Sequence, residues 1–133
     1  MRDLLDERDN GVVIGSRSKT KGRKWFRILL SKCFNILTRV VGVKNIKDTQ
    51  CGFKLFSRNS TQKILENLHI ERYAFDVDLL FISQHFNFPV AEVEVVWKEI
   101  QGSKLPLFKS TLEMFFHLLK MKVFYSLGFW KLK

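Results

Sequence analysis

The sequence predicts an α/β fold, in which short apolar strands alternate with amphipathic helices in one domain. The residue patterns follow the order strand, helix, strand, helix, helix, strand, helix, which is typical of this class. A length of 133 residues suits one domain, and the 46% of hydrophobic residues, among them 13 phenylalanines, provide for a core. Because so few strands are present, we expect this fold to be part of a larger one.

The first half of the chain predicts two strands with a long helix between them. Residues 12–14 are a β-branched run followed by glycine, as in a buried strand that enters a loop. Apolar residues recur at helical spacing over residues 24–42, so we expect an amphipathic helix that ends near Gly42. Residues 51–56 alternate as a strand does, and Phe53 is expected to anchor that strand.

The second half predicts two helices, a strand and a final helix. Residues 57–68 begin with a serine cap and continue as a short helix. Residues 74–86 carry a second amphipathic stripe, which Pro89 ends. Residues 90–97 alternate valine with glutamate, the pattern of a half-exposed strand. Residues 109–127 have a broad apolar face, which leaves open an interfacial helix on a membrane or a core helix packed on the sheet.

The charge of the chain favours an anionic partner. Its 23 lysines and arginines exceed its 13 acidic residues, which gives a formal net charge of +10. Such a field attracts phosphates, nucleic acids and acidic lipids alike. Residues 17–32 contain seven basic residues and no acid. Because positive charge at the start of a helix opposes the helix dipole, we expect this helix end to face an anion.

Cysteine spacing and hydropathy exclude other classes of protein. Cys33 and Cys51 have neither CxxC spacing nor an accompanying histidine pair, so the sequence predicts no disulfide framework and no zinc site. No run of about 18 apolar residues occurs, so any contact with a membrane is expected to be peripheral.

Polar clusters at the ends of the predicted elements provide the candidate site residues, because sites in α/β folds collect at the ends of strands. Arg17 has the planar fork of a phosphate clamp. Arg27 and Ser31 lie one helical turn apart, where they can bind one anion. The alternative for Arg17 and Arg27 is an ordinary solvated position on the surface. Asp48 either binds a sugar hydroxyl or caps the turn before Gly52.

Two carboxylates in the predicted helix 74–86 are candidates for catalysis. Asp76 and Asp78 have the residue type that general acid–base chemistry uses. Side chains two residues apart on a helix point about 200° away from each other, so both cannot face one pocket. We therefore expect one site residue and one solvated carboxylate.

Five stretches, taken together, resemble the dolichyl-phosphate beta-glucosyltransferase family. They occur in order and at plausible spacing: GSR at 15–17, DTQCGFKLF at 48–56, ERYAFDVDLLFI at 71–82, EVEVVWKEIQGSKL at 92–105 and the closing GFW. The resemblance implies an inverting glycosyltransferase of GT-A, Rossmann-like fold, related to dolichyl-phosphate mannose synthase. It covers the C-terminal, acceptor-side half of that fold, with residues 1–108 in the transferase domain and 109–133 as an amphipathic C-terminal helix.

The activity that this resemblance implies is transfer of glucose from UDP-glucose to dolichyl phosphate, for protein N-glycosylation. The expected location is the cytosolic face of the endoplasmic reticulum membrane, and the expected partners are the two substrates and the membrane surface, without nucleic acid. A divalent metal, Mg²⁺ or Mn²⁺, is expected in the complete enzyme. None of this chain's own residues is expected to bind it, because the family's metal-binding DxD motif and N-terminal membrane anchor lie upstream of the matched region.

The resemblance also implies roles for individual residues. The residues assigned to the acceptor phosphate are Arg17, Arg27, Ser31 and Lys104. Those assigned to the donor sugar, or to the loop that contacts it, are Asp48, Gln50 and Gly52. The catalytic candidates are Asp76 and Asp78. The sequence departs from the family at Asp78, where the family has Glu, and at Tyr73, where Trp is usual.

Three other functions remain open at this point. One is a different polyprenyl-phosphate glycosyltransferase of mannose or GlcNAc type, although the DTQCGF and GSKL patterns favour the glucosyl enzyme. Another is a membrane-surface protein without catalytic activity. The third is a nucleic-acid-binding module, because residues 17–27 are basic. Against it, Trp25 and Phe26 lie at the start of an apolar helix and are not interleaved on an exposed basic face.

Overall fold

The computed structural model describes residues 11–17, 25–96 and 107–133 of the chain. Within these ranges it has a three-stranded sheet and four α-helices, which confirms the predicted mixed α/β class. The strands are β1 (Val12–Ser16), β2 (Lys54–Phe56) and β3 (Val90–Glu94). The helices are α1 (Trp25–Val41), α2 (Arg58–Glu66), α3 (Phe75–His85) and α4 (Leu107–Ser126), with a 3₁₀ turn at Arg72–Ala74.

The sheet has β1 at its centre, between antiparallel β2 and parallel β3. All five residues of β1 are buried, as expected for an apolar strand that is covered on both faces. Because β1 and β3 are parallel, their carboxyl ends, Ser16 and Glu94, pair at the same edge of the sheet. Sites in α/β folds form at that edge, and the polar loops of this chain meet there.

The hydrophobic core lies between the central strand and the helices. Val12 and Ile14 of β1 belong to it, together with Phe34 of α1, Leu80 of α3 and Leu118 of α4. Their burial removes apolar surface from water, which is the main term that stabilises a fold. The core therefore fixes where the helices stand relative to the carboxyl end of β1.

Two helix boundaries follow local signals in the sequence. Gly42 ends α1 with a φ of 129°, and its N–H donates to the Thr38 carbonyl at 3.1 Å. A Cβ at Gly42 would also lie 2.9 Å from the Phe81 ring. Ser57 caps α2, since its Oγ accepts the Ser60 N–H at 3.3 Å. Both predicted boundaries are confirmed.

The second strand differs from the prediction. β2 begins at Lys54, and Phe53 precedes it with 58% of its surface exposed, so the prediction that Phe53 anchors the strand is wrong. The contact between this loop and β1 is made by the backbone, because the Phe53 carbonyl accepts the Gly15 N–H at 2.7 Å. A Cβ at Gly15 would lie 3.0 Å from both Cys51 Sγ and Phe53 Cβ. A side chain at Gly15 would therefore require these neighbours to move by a few tenths of an ångström, which favours glycine where the loop approaches β1.

The last helix, α4, has two apolar faces. Leu118 and Met121 are buried in the core, as in a helix packed on the sheet. Leu112, Phe116 and Leu119 are exposed, as in an interfacial helix. None of the helices in the described ranges is long and apolar enough to cross a bilayer.

Candidate active site

A small polar pocket lies at the carboxyl end of β1. Its volume is about 90 Å³, and it is lined by residues from β1 and its end, from α1 and from the loop between α1 and β2: Ser16, Arg17, Ser31, Asn35, Lys47, Asp48 and Gln50. Four residues that the sequence assigned to the site meet here: Arg17, Ser31, Asp48 and Gln50. They come from three separate segments, so the fold is what brings them together.

Arg17 and Asp48 form a bidentate ion pair in the polar pocket. Arg17 Nε donates to Asp48 Oδ2 at 2.7 Å and Nη2 donates to Oδ1 at 2.9 Å, while the Arg17 backbone N–H donates to Oδ2 at 3.0 Å. The hydrogen bond to Asp48 raises the pKa of Arg17 above its ordinary value, although burial acts in the opposite direction. The guanidinium is therefore permanently charged and held in one orientation. A residue assigned to the acceptor phosphate thus contacts one assigned to the donor sugar.

Glu92 of β3 holds the loop that carries Asp48. Its Oε1 accepts the backbone N–H groups of Lys47 and Asp48, each at 3.0 Å. From the other side, Asn35 Nδ2 donates to the Lys47 carbonyl at 3.0 Å. Sequence reasoning identified Glu92 only as a polar strand residue, and it did not identify Asn35 or Lys47. No local pattern indicates that these residues meet, because they are brought together by the pairing of β3 with β1.

Asp76 lies in the first turn of α3 and is not among the described residues that line the polar pocket. Its Oδ1 accepts from Lys54 Nζ at 2.7 Å, and Lys54 also donates to the Cys51 carbonyl. The charge of Asp76 contributes to the raised pKa of Arg17, so the two side chains are within electrostatic range of each other. Asp76 is therefore the carboxylate of α3 that stands near the cation of the pocket.

Asp78 occupies a different environment, with 0% of its surface exposed. Its Oδ2 accepts the backbone N–H groups of His69 and Ile70 at 2.9 and 3.0 Å, and its Oδ1 accepts the Tyr125 hydroxyl at 2.8 Å. The two carboxylates diverge, as helix geometry predicts, but the expectation that the second one is solvated is wrong. Asp78 is not among the described residues that line the polar pocket, and its oxygens tie α3 to α4, so its catalytic role stays a prediction.

Arg27 and Gly52 are not among the described residues that line the polar pocket. Arg27 lies one turn before Ser31 on the same side of α1 and is partly buried. Lys104 lies outside the described residues. Gly52 is exposed, and a Cβ there would meet no atom within 4 Å. The space beside Gly52 is thus open to a ligand, but nothing in the described structure requires glycine at this position.

The described part of the chain offers no ligand set for a divalent metal. Within residues 11–17, 25–96 and 107–133, no three His, Cys, Asp or Glu side chains come together as metal ligands. Of the carboxylates in this region, Asp48 and Asp76 are each engaged with a cation, and Glu92 accepts backbone N–H groups. The described residues therefore do not fit the divalent metal that the resemblance implies, and that metal stays a prediction for the whole enzyme.

An apolar surface adjoins the polar pocket along α1. A cleft of about 500 Å³ lies between α1 and α4, lined by Phe26, Leu30, Cys33, Phe34, Leu37, Thr111, Leu112 and Phe115. Both helices also carry large exposed apolar side chains outside the cleft: Trp25, Leu29, Ile36, Val40, Phe116, Leu119 and Val123. We call the cleft and these side chains the apolar platform. Ser31 of the polar pocket and Leu30 of the cleft are neighbours on α1, so the polar and apolar surfaces meet on one helix.

Comparison with curated proteins finds relatives over nearly the whole chain. The chain is 44% identical over 135 residues to the dolichyl-phosphate beta-glucosyltransferase of Dictyostelium discoideum, a match that covers 97% of the chain and 41% of the relative. For the human protein of the same name the identity is 49% over 127 residues, covering 92% and 39%. For the Saccharomyces cerevisiae protein it is 35% over 126 residues, covering 90% and 38%. The resemblance predicted from the five stretches is confirmed.

The chain spans about two fifths of the length of these curated relatives. No protein-family model matches the chain. No solved structure matches it, so the GT-A topology stays a prediction within the observed α/β class.

Proposed function

We propose that the chain is the acceptor side of a dolichyl-phosphate beta-glucosyltransferase of GT-A fold. In this proposal the whole enzyme transfers glucose from UDP-glucose to dolichyl phosphate at the cytosolic face of the endoplasmic reticulum membrane. The observation that carries it is the convergence of Arg17, Ser31 and Lys47 in the polar pocket, next to the apolar platform. A lipid-linked phosphate requires both features, since its headgroup needs cations and hydroxyl donors and its chain needs an apolar environment.

The chemistry of the acceptor explains why cations matter here. A phosphate oxygen forms a bond to the anomeric carbon of glucose, the bond from that carbon to the UDP oxygen breaks, and the configuration inverts. A phosphate monoester has a second pKa near about 6, so its oxygens are already anionic at pH 7 and need little help from a general base. Correct placement of the two reactants is then the main contribution to catalysis. When the placement is complete, it lowers the activation barrier by roughly 7–11 kcal/mol.

Arg17, Ser31 and Lys47 are the residues that we assign to the acceptor phosphate. Both oxygens of Asp48 accept from the Arg17 guanidinium, so we assign Asp48 to fixing that guanidinium. A held guanidinium presents its charge without reorganisation at the moment of reaction, which is how preorganised donors lower a barrier. This assignment changes the role of Asp48 from a sugar contact to a positioning residue.

The remaining assignments rest on the resemblance. Gln50 lines the polar pocket and is our candidate for a contact to the donor sugar. Asp76, which lies within electrostatic range of Arg17, is our candidate for the catalytic carboxylate. Arg27 and Lys104 are further candidates for contacts to the acceptor phosphate.

We propose that the apolar platform rests in the interface of a bilayer. Exposed lysines flank it on both helices: Lys32 on α1, and Lys120 and Lys122 on α4. Helices in the headgroup region bury apolar side chains at the acyl boundary, while their lysines attract anionic lipids. With the platform so placed, a membrane-bound phosphate approaches the polar pocket along α1.

A chimaeric enzyme, in which this chain replaces the matching segment of the Dictyostelium relative, tests the proposal. With UDP-glucose and dolichyl phosphate in vesicles, we expect Arg17→Ala to lower kcat/KM for dolichyl phosphate at least about 100-fold, the effect of removing one preorganised donor. Arg58→Ala is the matched control, because Arg58 is exposed at the start of α2 and does not line the polar pocket. It should retain wild-type turnover. Wild-type transfer by the Arg17 variant, or equal losses in both variants, would refute the proposal.

A further inference from the structure

Ser16 has a buried hydroxyl that no contact in the described structure explains. Only 2% of the residue is exposed, and its Oγ has no hydrogen-bond partner among the described residues. The backbone carbonyl of Ser16, in contrast, accepts the Val95 N–H at 2.9 Å. Buried polar groups in native proteins are nearly always hydrogen-bonded, so an orphan hydroxyl indicates that a partner is missing.

The surroundings of the Ser16 hydroxyl identify the chemistry of that partner. Ser16 lines the polar pocket together with two cations, Arg17 and Lys47, and a second hydroxyl, that of Ser31. Among the described lining residues the only carboxylate is Asp48, and both of its oxygens accept from Arg17. The pocket is therefore rich in donors and carries a net positive charge. Its complement is an anion with several acceptor oxygens.

The size of the polar pocket is compatible with a phosphoryl group. Its volume of about 90 Å³ is well above the ~10–15 Å³ that one water molecule needs. A phosphoryl group is a compact centre with its oxygens around it, so donors on several sides of the pocket can reach it.

We propose that Ser16 is a direct phosphate ligand, whose hydroxyl donates a hydrogen bond to an oxygen of the phosphoryl group that occupies the polar pocket. The inference rests on the proposed function for the acceptor side of the site. The phosphoryl group belongs either to a lipid headgroup or to free phosphate, which share the same chemistry. In both cases the bound oxygen supplies the acceptor that Ser16 lacks in the described structure.

Thr49 provides a matched control within the same region. It is 1% exposed, and its Oγ1 also has no hydrogen-bond partner among the described residues. Unlike Ser16, Thr49 is not among the residues that line the polar pocket. Removal of either hydroxyl eliminates a buried orphan group, so neither change should lower the stability of the ligand-free protein. Only the change at Ser16 should affect a ligand in the pocket.

The experiment titrates the 133-residue chain with inorganic phosphate, farnesyl phosphate and farnesol, and compares wild type with Ser16→Ala and Thr49→Val. We expect Ser16→Ala to bind both phosphates about 10- to 100-fold more weakly, the loss of one hydrogen bond to a charged group. Its Tm without ligand should be equal to or above that of wild type. Thr49→Val should bind as wild type does. Ser16→Cys replaces the hydroxyl by a somewhat larger thiol, which is only a weak donor, so it should also bind weakly.

The outcomes separate this inference from the proposed function. Unchanged phosphate affinity in Ser16→Ala and Ser16→Cys, or farnesol binding as tight as that of farnesyl phosphate, overturns the inference. If farnesyl phosphate binds more tightly than inorganic phosphate, the inference is supported and the phosphoryl group belongs to a lipid headgroup. If the two bind equally tightly, the inference is supported and the pocket recognises the phosphoryl group alone. If Ser16→Ala binds phosphate weakly but the chimaeric enzyme is inactive, the inference stands and the proposed function is rejected.

Discussion

Glu92 holds the loop that carries Asp48, so its removal tests how the polar pocket is built. Its Oε1 accepts the N–H groups of Lys47 and Asp48 at 3.0 Å each, and its Oε2 accepts the Lys47 N–H at 3.2 Å. A hydrogen bond to a charged group contributes about 1.5–3 kcal/mol. The bond to the Lys47 N–H is exposed and that to the Asp48 N–H is partly buried, so water replaces Glu92 at the first but not at the second. For Glu92→Ala we therefore expect the free energy of unfolding to fall by the value of one such bond.

Urea unfolding followed by circular dichroism measures this change in the 133-residue chain. Glu92→Gln keeps an acceptor oxygen and should lose less stability than Glu92→Ala. Glu66→Ala is the control, because Glu66 is exposed and accepts only an exposed hydrogen bond from Gln62 in the described structure; it should stay within about 0.5 kcal/mol of wild type. In the chimaeric enzyme, Glu92→Ala should also raise KM for dolichyl phosphate, since Arg17 is held by Asp48. If the unfolding free energy of Glu92→Ala is as close to the wild-type value as that of Glu66→Ala, the reasoning is refuted.

Two further predictions concern α4. Tyr125→Phe should lower the free energy of unfolding by about 1.5–3 kcal/mol at neutral pH, because the hydroxyl donates to the buried Asp78 carboxylate. Burial and that carboxylate raise the pKa of Tyr125 above its ordinary 10.0. As the pH rises, the unfolded chain therefore loses the phenolic proton before the folded chain does. The free energy of unfolding, measured with urea, should then fall as the pH rises above about 10. An equally steep fall in Tyr125→Phe would contradict this prediction. On the apolar platform, Phe116→Glu should weaken sedimentation with phosphatidylserine vesicles about five- to thirty-fold, the equivalent of about 1–2 kcal/mol. Leu65→Glu on α2, where 60% of the side chain is exposed, should leave vesicle binding unchanged, and equal losses in both variants would reject the platform as the membrane face.

Local patterns were sufficient to predict where α1 ends and α2 begins. Gly42 and Ser57 act on backbone groups only three or four residues away, so their effect can be read from adjacent positions. The burial of β1 was equally predictable, because a β-branched run has no polar face to expose. Phe53 shows the limit of such reasoning: its alternation predicts a buried anchor, but the close approach of the loop to Gly15 leaves its side chain outside.

The polar pocket was predictable only in part. Arg17, Ser31, Asp48 and Gln50 have residue types that suit a phosphate or a sugar, and resemblance to known enzymes selected them. The pairing of Arg17 with Asp48 spans 31 residues, and that of Asp48 with Glu92 spans 44. Contacts at such separations depend on which strands pair, so sequence reasoning placed Arg17 and Asp48 on different ligands and missed the role of Glu92.

The sequence by itself determined the α/β class, most of the element boundaries, the excess of positive charge and the likeness to a lipid-phosphate glucosyltransferase. The tertiary structure alone decided that Asp78 is buried while Asp76 lies within electrostatic range of Arg17, and that α4 gives one face to the core and exposes the other. The physical reason is that periodicity defines the faces of a single element, whereas the environment of each face depends on the elements that pack against it.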